Sequence, residues 1–280
     1  MSVFDRALVR RHRDRAAPGF SRHDFLFADT AARLTERLEI IRRGFPWALD
    51  LGCHAGYTGR FARGPKRIET LVSCDLSPAF AGLNGSAGDA LVLAADEEAL
   101  PFSDSSFDLV ISNLSLHWVN DLPGALVQVR RVLRPDGVFA AAMLGGNTLT
   151  ELRRCLLEAE LALAGGVAPR VSPFAGLLDA AHLLQRAGFT LPIADSETIT
   201  VTYSDVFRLM GDLRGMGETG ALLARSRRPP GRALFLETAR RYAESHAGPD
   251  GRITATFEIL YLFGHAPGPD QQQPLKPKLF

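Results

Sequence analysis

The stretch ALDLGCHAGYTGR, Ala48 to Arg60, reads as an apolar strand that runs into a glycine turn and then a helix. Gly52 and Gly56 free the backbone for a tight turn and let its N–H groups approach a ligand at the start of the next helix. Their G-x-x-x-G spacing departs from the dinucleotide pattern G-x-G-x-x-G, which disfavours nicotinamide binding. His54 stands where such turns usually carry another glycine. Histidine tolerates a left-handed backbone better than a branched residue, so the turn can survive, but the side chain is expected to crowd whatever the loop holds.

Working outward, further short apolar runs repeat with helical stretches between them: Thr70–Leu76, Ala90–Ala95, Phe107–Asn113 and Gly137–Leu144, after Trp47–Leu51 in the first strand. Near-continuous apolar strands suit a parallel sheet covered on both faces, so the spacing predicts a doubly wound α/β domain. Residues 1–44 read as N-terminal helices, with Phe4 and Leu8 four apart on an inner face, and 45–266 as the main domain. Beyond residue 148 the pattern is helical over 149–164, 174–189, 204–217 and 231–245, which predicts a lid over the sheet edge. Ser204 and Asp205 supply an N-cap, and Gly188 follows Ala187 as a C-cap. Residues 196–203 and 253–266 read as strands that complete the sheet, and the proline- and glutamine-rich 267–280 as a disordered tail.

The chain has 280 residues, 46% apolar, with a formal net charge of +1, an ordinary globular balance that gives no general reason to expect nucleic acid binding. Its longest apolar run, Val138–Leu144, falls far short of the roughly 20 residues that cross a bilayer. Of 32 basic residues only Lys66, Lys276 and Lys278 are lysines, a bias typical of GC-rich bacterial coding. The arginine-rich start could pass for a transit peptide, but Asp5 and Asp14 interrupt it and no apolar signal core follows. The cysteines Cys53, Cys74 and Cys155 form no C-x-x-C pair, which points to a reducing compartment without structural zinc. A bacterial cytoplasm is the expected location, with the mitochondrial matrix as the alternative.

In an open parallel sheet a ligand lies beyond the carboxyl ends of the strands. Strand two ends in Asp75 and Leu76, where an acid can accept hydrogen bonds from ribose hydroxyls or, equally, cap a helix. After strand three, Asp96 can accept from an adenine amino group while Glu97 presents its backbone; the alternative is a solvated acidic loop. After strand four, His117 can act as a general base and Trp118 can stack on a cationic or planar substrate, or both can simply pack at a helix start. His12 and Asp14 form the one H-x-D pair, outside the strand ends, and the other histidines show no metal spacing, so no metal site is expected. Cys53 reads as a small buried residue, with no base beside it to make it a nucleophile.

As an ordered set, LDLGCHAG, VSCDLS, AADEEALPFSDSSFDLVISN and VLRPDGVFAAAML resemble the motifs of the class I S-adenosylmethionine-dependent methyltransferases. That resemblance implies a seven-stranded, mostly parallel sheet with its last strand antiparallel. It also implies S-adenosyl-L-methionine as cofactor, with Asp50, Gly52, His54 and Gly56 around its methionine, Asp75 and Leu76 at its ribose, and Asp96, Glu97 and Asn113 completing the pocket. Asn113, His117 and Trp118 are the implied catalytic set. A longer resemblance, through VFDR, NLSLHWVNDLPGAL, GGNTLTELR, SPF and LMGDLRGMGE, is to the family of respiratory complex I assembly factor 5. It implies modification of a protein side chain, by methyl transfer or by arginine hydroxylation, on a partner such as a peripheral-arm subunit of complex I. A non-catalytic binding protein on the same fold and a small-molecule or carrier-protein methyltransferase are the alternatives.

Overall fold

The computed structural model describes residues 2–62, 68–85, 91–226 and 230–268. Its strands are β1 (Phe45–Leu51), β2 (Ile68–Asp75), β3 (Leu91–Ala94), β4 (Phe107–Asn113), β5 (Leu133–Leu144), β6 (Thr190–Tyr203) and β7 (Ile253–His265), in one sheet of order β3-β2-β1-β4-β5-β7-β6. Neighbours from β3 to β5 are parallel, and β7 runs antiparallel to both β5 and β6. Ala48 pairs with Leu71 on one side and Leu109 on the other, so the strand order reverses between β1 and β4. A crevice opens at such a reversal.

Alternation along each strand fills two cores. Ala48, Leu109, Ile111 and Ala140 face a core shared with Phe27, Leu34 and Leu38 of α2 (Phe25–Leu38). Leu49, Leu51, Val110 and Phe139 face another, shared with Leu126 and Val129 of α5 (Leu122–Val132). Because both faces are covered, the strands carry apolar residues in succession. Between them lie α3 (Tyr57–Ala62) and α4 (Pro78–Gly85).

The late helices divide between the faces. Residues of α6 (Thr150–Ala164), α8 (Val206–Met216) and α9 (Arg232–His246) join the first core. In contrast, Ala180 and Leu184 of α7 (Leu177–Arg186) join Phe139, Phe189, Leu260 and Leu262 in the second. The helix expected over 174–189 is therefore a layer of the sheet and not part of a lid. Asp205 caps α8, accepting from the Phe207 and Arg208 N–H groups, and Gly188, at φ 84°, follows the Ala187 C-cap of α7. The proposed tail lies, from residue 269 onward, outside the described residues.

At the start of the chain the expected face is replaced. Asp5 accepts a hydrogen bond from the Leu8 N–H and caps α1 (Arg6–Ala16), which leaves Phe4 outside the helix, bridged to Leu222 and edge-on to Trp118 at 5.2 Å. The stripe that α1 buries is Val9, Arg13 and Ala16. An arginine occupies the centre of its inner face.

Candidate active site

The crevice begins at the β1 turn. Gly52 (φ 68°) and Gly56 (φ 75°) both sit in the left-handed region, and a Cβ would run into the Ser115 side chain at the first and the Asn84 carboxamide at the second. Glycine is required at each by conformation and by space. Asp50 is wholly buried on β1, and burial pushes its carboxyl up to about 7.

The acids of the crevice converge on one guanidinium. Arg13 Nη1 lies 3.3 Å from Asp75 Oδ1 and 3.3 Å from Glu97 Oε1, while its Nη2 donates to Ser115 Oγ at 2.9 Å. Ser115 in turn donates to Glu97 at 2.6 Å. The side chains of Arg13, Asp75 and Glu97 are all fully buried. Asp75 also accepts from the N–H groups of His54 and Ser77, and Arg6 reaches both Glu97 and Asp96, the latter at 2.6 Å. Burial alone would raise the Glu97 carboxyl, but the charges of Arg6 and Arg13 outweigh it and hold the group at about 2. For Asp75 burial prevails, and its carboxyl lies above its ordinary value despite Arg13. Glu97 thus contributes a buried side chain to the crevice, where its backbone was expected to serve.

The crowding side chain of His54 takes a different course. The residue is left-handed at φ 44°, and its ring is packed among Phe20, Phe27 and Phe80, with centroids 6.1, 4.7 and 5.2 Å away. Its Nε2 lies 3.2 Å from the Leu114 carbonyl. Burial, reinforced by Arg13, drives its pKa down to about 3, so the ring is neutral and Nε2–H donates to that carbonyl. The side chain anchors the N-terminal helices to the turn.

On the other side of α1, His117 Nε2 lies 2.9 Å from Glu218 Oε2, and the Trp118 indole N–H donates to the same oxygen at 2.8 Å. Glu218 Oε1 and His117 Nδ1 are buried without a hydrogen-bond partner. Burial raises the Glu218 carboxyl, but His117 outweighs it and holds the group below its ordinary value. Glu218 and Trp118 line a cavity of about 480 Å³ walled chiefly by apolar side chains, among them Leu149, Leu152, Phe174 and Met210.

The remaining candidates are scattered. Asn113 donates to the Phe27 carbonyl at 2.9 Å and so ties β4 to α2. Leu76 is half-buried against the cluster of Phe4, Val9 and Trp118. His12 turns to Thr219 and Asp14 to Ser77, so the H-x-D pair does not converge. Burial pushes the Cys53 thiol well above its ordinary value, which removes its thiolate character. Among the described residues no group of three or more histidine, cysteine, aspartate or glutamate side chains has metal-binding geometry, and no helix is long and apolar enough to cross a membrane.

Sequence reading missed Arg6, Arg13, Ser115 and Glu218. A periodicity signal existed for Arg13, midway between buried Val9 and Ala16, and Glu218 closes the distinctive GMGE segment.

Comparison with known proteins agrees with this geometry. Residues 49–141 match a methyltransferase domain family. The mitochondrial arginine-hydroxylase NDUFAF5 of Danio rerio is 41% identical over 99% of this chain and 86% of its own. The malonyl-[acyl-carrier protein] O-methyltransferase of Halorhodospira halophila is 37% identical over 94% of this chain and 88% of its own. Among solved structures, the YcgJ protein of Bacillus subtilis superposes with a TM-score of 0.60 at 15% identity, covering 84% of this chain and 97% of that one, a likeness of fold. The chain therefore belongs to the NDUFAF5 family of class I methyltransferase-fold enzymes, with the malonyl-carrier-protein methyltransferases as relatives.

Proposed function

We propose that this enzyme modifies an arginine side chain of a partner protein, in keeping with its complex I assembly relatives, and that the arginine enters the cavity above Glu218. The observation that carries this reading is the Glu218 carboxylate, buried, held ionised beside His117, and with one oxygen unpartnered at the wall of a mainly apolar cavity whose Arg170 and Arg225 are paired with Glu160 and Asp5. Apolar walls suit the aliphatic stem of arginine, and a forked guanidinium suits a carboxylate flanked by an indole. His117 and Trp118 hold Oε2 in place and leave Oε1 for the substrate. In this reading they position Glu218 and need not transfer a proton themselves.

The crevice supplies the cofactor side. An acid at the end of β2, a second after β3 and a glycine turn make a set of acceptors and open backbone that fits a nucleoside. S-adenosylmethionine, when bound, supplies a sulfonium methyl group. We assign Asp75 to the ribose and the Asp96–Glu97 segment to the adenine, with Gly52 and Gly56 giving the backbone its close approach.

The test is peptide mapping of complex I subunits from a deletion strain complemented with wild type or Glu218→Gln. Wild type should restore a mass increment on one arginine, a methylene for methyl transfer or an oxygen atom for hydroxylation, and Glu218→Gln should not. Identical subunit masses with and without the gene would overturn modification as the function and leave an assembly role alone.

A further inference from the structure

The acceptors that fit a nucleoside are already engaged. Arg13 places its guanidinium between Asp75, Glu97 and Ser115, and the last two of these close around Gly52 at the mouth of the β1 turn. Every partner is supplied by the chain itself, from the ends of β2 and β4 and the loop after β3. Arg6, about two helical turns earlier, covers Asp96 and Glu97 and donates to the Trp118 carbonyl at 3.2 Å. A ribose and a guanidinium cannot share these acceptors, because the arginine is fully buried against them.

We propose that α1 is an internal competitor for the cofactor crevice: Arg13 occupies a guanidinium site built from Asp75, Glu97 and Ser115, and a nucleoside cofactor binds only when α1 swings out. The N-terminal two turns of the helix carry few ties to the main core: Leu8 and Val9 belong to a small separate cluster with Phe4, Trp118 and Leu222, whereas Ala16 at its C-terminal end joins the main core and sets the place of the hinge. Asp14 adds a latch, accepting from the Ser77 hydroxyl beside Asp75. Closure without cofactor keeps water and stray guanidinium groups from the acids. The proposal rests on the cofactor chemistry of the fold and not on arginine being the substrate.

The experiment uses the full chain with S-adenosylhomocysteine as the probe, measured by isothermal titration and by amide hydrogen exchange. Arg13→Ala should bind the probe about tenfold or more tightly than wild type, since the competent state no longer has to displace the arginine. Saturating probe should raise the exchange of the wild-type amides over 6–16. If Arg13→Ala does not fold, the exchange measurement on wild type decides alone, and Arg13→Gln, which keeps polar contacts without the charge, replaces it in the titration. Unchanged affinity of the variant, deeper protection of 6–16 on binding, or no binding by either protein would each overturn the proposal. Loss of substrate modification with the binding result intact would count against the arginine reading only.

Discussion

The two concavities that flank α1 are built in opposite ways. On the crevice side, two carboxylates and an arginine are wholly buried and paired with one another; on the cavity side, mainly apolar walls surround a carboxylate with a spare oxygen. A closed charge network stores a penalty that appears only when a partner is removed. A mainly apolar space with an unsatisfied acceptor on its wall is, by contrast, ready for a ligand that brings the missing donors. The comparison teaches that one helix, α1, touches both kinds of site, the self-paired one through Arg13 and the one with a spare acceptor through His12 and the cavity-lining Thr219.

Removing the arginine should break the comparison most severely. Arg13→Ala is expected to lower the unfolding free energy near neutral pH by about 3–5 kcal/mol, because Asp75 keeps its burial and loses its counter-charge while Glu97 is left with Arg6 alone. Urea denaturation reads this, and added S-adenosylhomocysteine should return part of it; a loss below about 1 kcal/mol would mean that water already reaches the acids. On the cavity side, Leu213→Ala trims the wall without touching a charge and should cost about 3 kcal/mol by the same assay, in the ordinary range for a buried leucine. Its cost should not respond to the probe.

A third prediction sharpens the contrast through pH. The folded pKa of His54 is about 3 against an ordinary 6.5, so the unfolded chain binds the extra proton and stability is lost as pH falls from 6.5 toward 3. His54→Gln should remove that slope, worth about 2 kcal/mol by pH 5, in denaturation curves collected at pH 7 and pH 5. Asp50 carries the opposite sign. Its folded pKa of about 7 lies above its ordinary 3.8, so its contribution is present at low pH and lost as pH rises through that window. Asp50→Asn should flatten the neutral side of the profile and leave the acid side to His54. The smallest expected stability effect is that of Glu218→Gln, within about 1 kcal/mol, since the amide keeps an acceptor for His117 and Trp118; a large loss would make Glu218 a structural residue.

How much was legible in advance follows from how far each signal reaches. The strands announce themselves because burial on both faces demands unbroken apolar runs, and Asp75, Gly52 and Gly56 are legible because a parallel sheet has one ligand-binding edge. Arg13 was not, because a positive charge on a helix defaults to solvent until its partners are known, and those partners lie 62, 84 and 102 positions away along the chain. Glu218 was missed for the same reason, since His117 is 101 positions from it. The fate of α7 turned on which face of the sheet its apolar stripe found, and periodicity gives the stripe but not its partner.

By itself, then, the sequence determined the sheet, the glycine turn and the acids at the strand ends, since these follow from local periodicity and backbone conformation. Only the tertiary structure decided that His54 points into an aromatic cluster and that Arg13 fills the crevice. Both outcomes depend on long-range pairing of buried polar groups, whose energies are set by surroundings that no local window of sequence contains.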